Sequence, residues 1–335
     1  MAQTLTPEIL RYHVQDHLMD ASACPHGEVC FKALDPDEYA GLVQVVNGNN
    51  HRELSNRLAR LGNHDLCIMT VGSDGKQERH SQSRAELAIV HTGALRFDPQ
   101  LEIARALHED VTNYNLEATE VRRLDEPELV LSYAFGNPNS VYPDRLLNSS
   151  FVVGNRDIWL RTRRQVLSEM SGESSVSARI RRHLRKQVQL YRQALERGTY
   201  AGHTIFNQED GVMFYDEDPL HYRVAIKMSH LRLVQRHLDR LVAHGLVNNN
   251  LTIEQTSAEL PAETTARIAY LADAGLIKEG VDAGELIYGY EWCLQQYHLC
   301  QQRFKQRRTL SEVHFDKEVF ASISELLYNF SVMSR

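Results

Sequence analysis

The feature that most constrains this chain is a change of hydrophobic period between residues 61 and 91. Leu54, Leu58 and Leu61 recur at helical spacing, so the stretch Asn50 to Leu61 reads as a helix with one buried face. Directly after it, Leu66 to Val71 (LCIMTV) is a short apolar run rich in strand formers, Gly72 to Gly75 breaks the run, and Ala85 to His91 (AELAIVH) resumes as a second strand. Helix, strand, glycine turn and strand in about forty residues require a sheet with helices packed on it. Further signals follow: a helix over Pro99 to Asn113, a third strand over Glu128 to Phe135 and an edge strand over Arg145 to Val153. Beyond Asp157 the pattern is helical almost to the end, with helices expected over 157–168, 178–197, 219–244, 262–274, 282–307 and 316–330, and a loop over Thr252 to Thr256.

The amino-terminal stretch mixes a helix over Pro7 to Met19 with a connection that holds Pro25, Gly27 and an Asp35-Pro36-Asp37 turn signal. A chain of 335 residues suits two domains at roughly 100–200 residues each. The reading is an amino-terminal helical extension over 1–49, a sheet-bearing domain over 50–155 and a helical domain over 156–335. Charges run through the first twenty residues, and no stretch reaches the roughly 20 apolar residues of a membrane span, so the expectation is a cytoplasmic chain without a membrane partner. Secretion by a route without a signal peptide leaves no mark in composition. Five cysteines, an odd number in a chain too large to need staples, fit a reducing compartment. A formal net charge of −7 makes a nucleic-acid partner unexpected unless a local basic patch supplies it.

The chemistry concentrates in MTVGSDGKQERHSQSRAELAIVH, residues 69–91. A strand that ends in Gly-Ser and passes through a short helix to a second strand fits the phosphate-cradling half of a nucleotidyltransferase site, while Gly-Ser-x-Gly taken alone is more often an ordinary strand-to-helix turn. Glycine lets the backbone approach a triphosphate, and a serine hydroxyl with neighbouring N–H groups donates to it. Gly72, Ser73 and Gly75 fill those roles, and Lys76 is placed to hold a phosphate, although a helix lysine is as readily explained by solvation. Such enzymes set two carboxylates at i and i+2 on the next strand, on one face, to hold two Mg²⁺ ions for in-line displacement.

The stretch Gly72-Ser73-Asp74-Gly75-Lys76-Gln77-Glu78 resembles the Gly-Ser-Glu-Gly-Arg-x-Glu signature of the nucleotidyltransferase family often found beside CBS domains, which is related to the amino-terminal part of protein-PII uridylyltransferase. The resemblance covers roughly residues 50 to 330. HRELSNRLARL looks like the family's helix before the first strand, and LLNSSFVVGN like its strand reading Phe-Asp-x-Arg followed by Gly-Asp. YRVAIKMSHLRLVQRHLDRLVAHGL resembles its Val-Asp-x-Lys helix, with Ala225 for the aspartate and Lys227 kept, and TTARIAYLADAGLIKEGVDAGELIYGYEWCLQQYH looks like its next two helices.

The resemblance implies an α+β fold: a polymerase-β-type nucleotidyltransferase domain, a small mixed sheet with helices, followed by an all-helical bundle. It also implies a nucleotide site lined by Gly72, Ser73, Gly75, Lys76, Arg84 and Lys227. The family's Asp-x-Asp falls on Arg84 and Glu86, and its third carboxylate on Asn148, with Ser150 for the arginine and Gly154 kept. Of three metal-carboxylate positions only Glu86 retains an acid. A lone glutamate cannot assemble a Mg²⁺ pair.

The leading expectation is therefore a pseudoenzyme that binds a nucleotide or a protein partner. The rival is an active enzyme that moves a nucleoside monophosphate from a nucleoside triphosphate to a hydroxyl, with Mg²⁺ or Mn²⁺ as cofactor, Glu86 as catalytic acid and Asp74 or Glu78 as displaced metal ligands. The third alternative is a pure protein-interaction module working through the helical domain. Asp74 and Glu78 are equally explained as acids favoured by a helix dipole, and Arg84 as a salt bridge to Glu86. His13, His17, Cys24, His26 and Cys30 form a metal-like cluster whose spacing matches no zinc pattern. The basic run Arg179, Arg181, Arg182, Arg185, Lys186 and the later Arg303, Lys305, Arg307, Arg308 read as solvated faces or contacts for an acidic partner, with Tyr191, Tyr200, Tyr215 and Tyr222 nearby.

Overall fold

The computed structural model describes residues 35–63, 65–79, 85–93, 95, 97–108, 114, 116, 119–124, 143–200, 203–204, 206–207, 212–214, 226–307, 312–314 and 316–332. The expected helix over 7–19, the His/Cys cluster, Arg84, the third strand over 128–135, Tyr215, Tyr222 and Arg308 lie outside these residues.

Helix α1 (Pro36–Leu58) starts where the sequence suggests a turn. The Asp35 carboxylate accepts from the Asp37 N–H at 3.0 Å, and Pro36 occupies the first helical position, where its missing donor costs nothing. A 3₁₀ turn (Ala59–Asn63) leads to β1 (Leu66–Val71), the short helical turn α2 (Gly72–Gly75), β2 (Glu86–His91), α3 (Pro99–Leu107), β3 (Glu120–Arg123), α4 (Pro143–Leu147), β4 (Ser150–Gly154), α5 (Arg156–Ser171) and α6 (Ser175–Arg197). The four strands form one mixed sheet in the order β3-β2-β1-β4. β1 runs antiparallel to both β2 and β4, with Val71 opposite Glu86 and Thr70 opposite Ser150, while β2 and β3 are parallel.

The sheet is covered on both faces, which is why LCIMTV shows no alternation. Leu66 and Ile68 of β1, Leu87 and Ile89 of β2 and Val152 of β4 pack with Leu54 and Leu58 of α1 and Ile103 and Leu107 of α3. The register puts Cys67, Met69, Ala88 and Val90 on the opposite face, and all four are buried. Helix α5 lies against β1, β2 and β4.

The edge strand expected over 145–153 is instead a helical turn and a shorter strand. Pro143 pre-sets a helix start, and Asn148 and Ser149 separate α4 from β4. The loop expected at Thr252 to Thr256 is instead the start of a helix over Ile253–Glu259, because Thr252 is an N-cap whose hydroxyl accepts from the Gln255 N–H.

After α6, short strands β5 (Thr199–Tyr200), β6 (His203–Thr204), β7 (Phe206–Asn207) and β8 (Val212–Phe214) precede a π-helical turn (Lys227–Leu231), α7 (Arg232–Val247), α8 (Ile253–Glu259), α9 (Thr264–Asp273), α10 (Ala283–Arg307), β9 (Glu312–His314) and α11 (Lys317–Val332). The protein is thus mixed α and β, mainly helical. It divides into two compact units that interleave along the chain, where composition places a single change near residue 155. Among the described residues the first unit holds 42–181 and 243–267, and the second 35–41, 182–242 and 268–332. No helix among the described residues is long and apolar enough to cross a membrane.

Candidate functional site

The site lies in the first unit, where β1 ends. Gly72 has φ +66°, a conformation that L side chains rarely adopt, and a Cβ there would stand 2.8 Å from Oε2 of Glu86. Ser73 follows, exposed. Asp74 belongs to the same turn. At Gly75 a Cβ would meet two backbone oxygens, 2.6 Å from that of Asn148 and 2.7 Å from that of Thr70. The Ser150 hydroxyl donates to the Gly75 carbonyl at 2.7 Å. The turn is therefore wedged between the start of β2 and the segment that enters β4, with Glu86 at one end and Asn148 at the other.

Both described positions that the resemblance assigns to metal carboxylates have arginine partners. Arg145, on α4, donates through Nη2 to Oε2 of Glu86, in an ion pair whose glutamate side chain is 37% exposed. Arg267, on α9 and 1% exposed, donates through Nη1 to Oδ1 of Asn148, itself 2% exposed. The Asn148 Nδ2 is buried with no hydrogen-bond partner.

Sequence reasoning missed both arginines. Arg84, its choice to balance Glu86, lies outside the described residues, and Arg145 makes that pair here. Pairings across 59 and 119 residues leave no local pattern to read.

The other expected residues fare differently. Lys76 is 5% exposed, so the solvated-lysine reading does not hold. Glu78 is buried too. The helical turn ends at Gly75, so Glu78 is no first-turn acid of that helix; its Oε1 accepts from the Thr264 N–H, 3.3 Å away, at the start of α9. Burial, with the Glu78 charge second, raises the pKa of neighbouring Glu263. Lys227 belongs to the second unit, its ammonium 5.5 Å from the centre of the Tyr297 ring.

Of the basic run, Arg181 donates to the carbonyls of Met170 (3.0 Å) and Gly172 (2.8 Å), closing the carboxyl end of α5. Tyr191 stacks with Tyr200 at 6.5 Å between centroids.

The consequence for metal chemistry is electrostatic. A Mg²⁺ pair needs several hard anionic oxygens. Here the one described carboxylate in register is neutralised by a guanidinium, and the third position is a neutral amide held by a second guanidinium. Among the described residues no group of three His, Cys, Asp or Glu side chains is arranged to hold a metal ion. What the geometry defines is an α+β protein with a glycine turn between two arginine-held polar positions. No protein-family model matches this chain, and no curated protein matches it either.

Proposed function

We propose that the first unit is a polymerase-β-type nucleotidyltransferase domain that has lost two-metal catalysis and binds the phosphates of a nucleoside triphosphate without a divalent cation. The observation that carries this reading is the pairing of Glu86 with Arg145 and of Asn148 with Arg267 on either side of the Gly72 turn. Guanidinium groups stand beside the positions from which an active enzyme would hold its metals, and guanidinium is the side chain best matched to phosphate oxygens. Gly72 carries no side chain to obstruct the approach to the turn, and the Ser73 hydroxyl is available beside it. The resemblance of residues 72–78 to the nucleotidyltransferase signature and the antiparallel pairing of β1 with β2 support the same reading.

The test is calorimetric titration with ATP, GTP, CTP and UTP, each in EDTA and in Mg²⁺. The expected result is binding of at least one triphosphate whose affinity changes less than about threefold on adding Mg²⁺ and survives Glu86→Gln. Binding that appears only with Mg²⁺ and disappears in Glu86→Gln would restore the enzyme; no binding of any triphosphate would leave a protein-interaction module.

A further inference from the structure

Helix α6 carries seven Lys or Arg residues and one acid, Glu196, in a chain whose acids outnumber its basic residues 44 to 37. From residue 182 onward the helix belongs to the second unit. Arg182, Arg185, Lys186, Gln189 and Arg197 are exposed there, and Arg192 and Gln193 are half-buried. Leu184, Val188, Tyr191 and Leu195 are buried on the other side and fix which way the polar face points.

The polar face has a regular layout. At 3.6 residues per turn, Arg182, Gln189 and Gln193 fall within about 20° of one line along the helix. Arg185 and Arg192 lie about 60–80° to one side of that line, and Lys186 and Arg197 about 40–60° to the other. The cations extend over about 22 Å, from Arg182 to Arg197. Among the described residues none of these side chains makes an ion pair or a side-chain hydrogen bond, and exposed Glu196 makes none either.

Arg182, Arg185 and Lys186 stand at i, i+3 and i+4, where like charges destabilise a helix. A basic face that serves only solvation is commonly balanced by acids at those spacings. None is present here, so the repulsion is relieved only by an anion from outside the helix.

The layout selects among anionic partners. A helix with its side chains is about 10–12 Å across, and the major groove of B-DNA is about 12 Å wide. Cations on both flanks match the two phosphate rows that border such a groove. An arginine and two glutamines between them carry the groups that pair with guanine and adenine edges. The major groove of A-form RNA is too narrow for side chains to read. An acidic peptide offers one row of charge and matches one flank only. A membrane surface takes up the apolar side of an amphipathic helix, which α6 buries in the protein.

We propose that the exposed face of α6 over residues 182–197 binds double-stranded DNA in the major groove. Arg185 and Arg192 contact one phosphate row, Lys186 and Arg197 the other, and the midline residues face the base edges. The surface does not depend on the proposed function of the first unit.

The test is fluorescence anisotropy of the full chain with a labelled duplex of about 20 base pairs, two helical turns. Four phosphate contacts give a slope of log affinity against log salt of about −3.6, a loss of roughly 150-fold between about 50 and 200 mM KCl. Arg185→Gln/Arg197→Gln is expected to halve that slope, Lys186→Gln to reduce it by about 0.9, and Gln189→Ala/Gln193→Ala to leave it unchanged. All these side chains but Gln193 are exposed, and unchanged melting temperatures establish that lost binding is not lost folding. The proposal is overturned if the duplex does not bind at 50 mM KCl, or if the basic variants keep the wild-type slope. It is also overturned if the single strand of the same sequence binds tighter than the duplex. Displacement of the duplex by polyglutamate at equal charge concentration would overturn it in favour of an acidic protein partner.

Discussion

Gly75→Ala puts a number on how tightly the glycine turn is held. The methyl group would sit 2.6 Å from the Asn148 carbonyl oxygen and 2.7 Å from that of Thr70, roughly half an ångström or more inside van der Waals contact on both sides. Both obstacles are backbone, one in the central strand, so neither yields by rotating a side chain. Overpacking of this kind costs about 1–3 kcal/mol. Gly75 does not have a positive φ, so alanine would otherwise gain about 0.5–1 kcal/mol from the reduced freedom of the unfolded chain.

The net expectation is a loss of about 0–2.5 kcal/mol, against a gain wherever the methyl finds space. Gly48 is the internal comparison: it lies in α1 with nothing within 4 Å of the place an alanine methyl would take, and Gly48→Ala should gain about 0.5–1 kcal/mol. Urea denaturation followed by circular dichroism measures both. Equal stabilisation by the two alanines would refute the claim that backbone packing, and not only access for a ligand, demands glycine at position 75.

Two ionisable clusters in the second unit bend its stability with pH in opposite senses. The Glu291 carboxyl is raised to about 8, first by burial, then by its hydrogen bond to Asp37 and the charges of Asp37 and Asp35. A carboxyl raised from its ordinary 4.5 loses stability as pH climbs from 4.5 through 8, so Glu291→Gln should be near neutral at pH 4.5 and stabilising by about 1–3 kcal/mol at pH 8.5, read from denaturant midpoints. Burial lowers His230 and His237 to about 3, with Arg240 and Arg192 adding to the effect on His237. Their contribution is complete above pH 6.5 and lost as pH falls from 6.5 towards 3, so thermal unfolding of the wild type should show acid destabilisation in that window, reduced in His237→Phe. Asp239→Asn removes the acid from the fully buried pair with Arg236 and should cost about 3–5 kcal/mol in urea denaturation.

The sheet's central hairpin was legible because a run buried on both faces needs no alternation, and Gly72 marks where it ends. The helices beyond residue 156 were legible from their period; their division between the two units was not. Other features depend on partners distant in sequence. The polar strand EVRR owes its place to β2, which supplies its parallel pairing from about thirty residues away. Lys76 and Glu78 look like surface residues of a helix, but the helix stops at Gly75 and α9 covers Glu78. Pro143 reads as part of a connection, whereas it begins the turn that carries Arg145. The lack of an acid at Asn148 was visible in the sequence; the arginine that holds it was not, since nothing in TTARIAYLAD separates Arg267 from an ordinary surface arginine.

In the proposed function, Arg145 and Arg267 have replaced metal chemistry at the glycine turn. The most direct measurement is transfer of label from α-phosphate-labelled ATP, GTP, CTP and UTP to protein and to small hydroxyl acceptors, with Mg²⁺ or Mn²⁺, for the wild type and Glu86→Gln. A site without metal chemistry gives no metal-dependent incorporation and no difference between the two proteins; incorporation that requires the metal and vanishes in Glu86→Gln would contradict the proposed function.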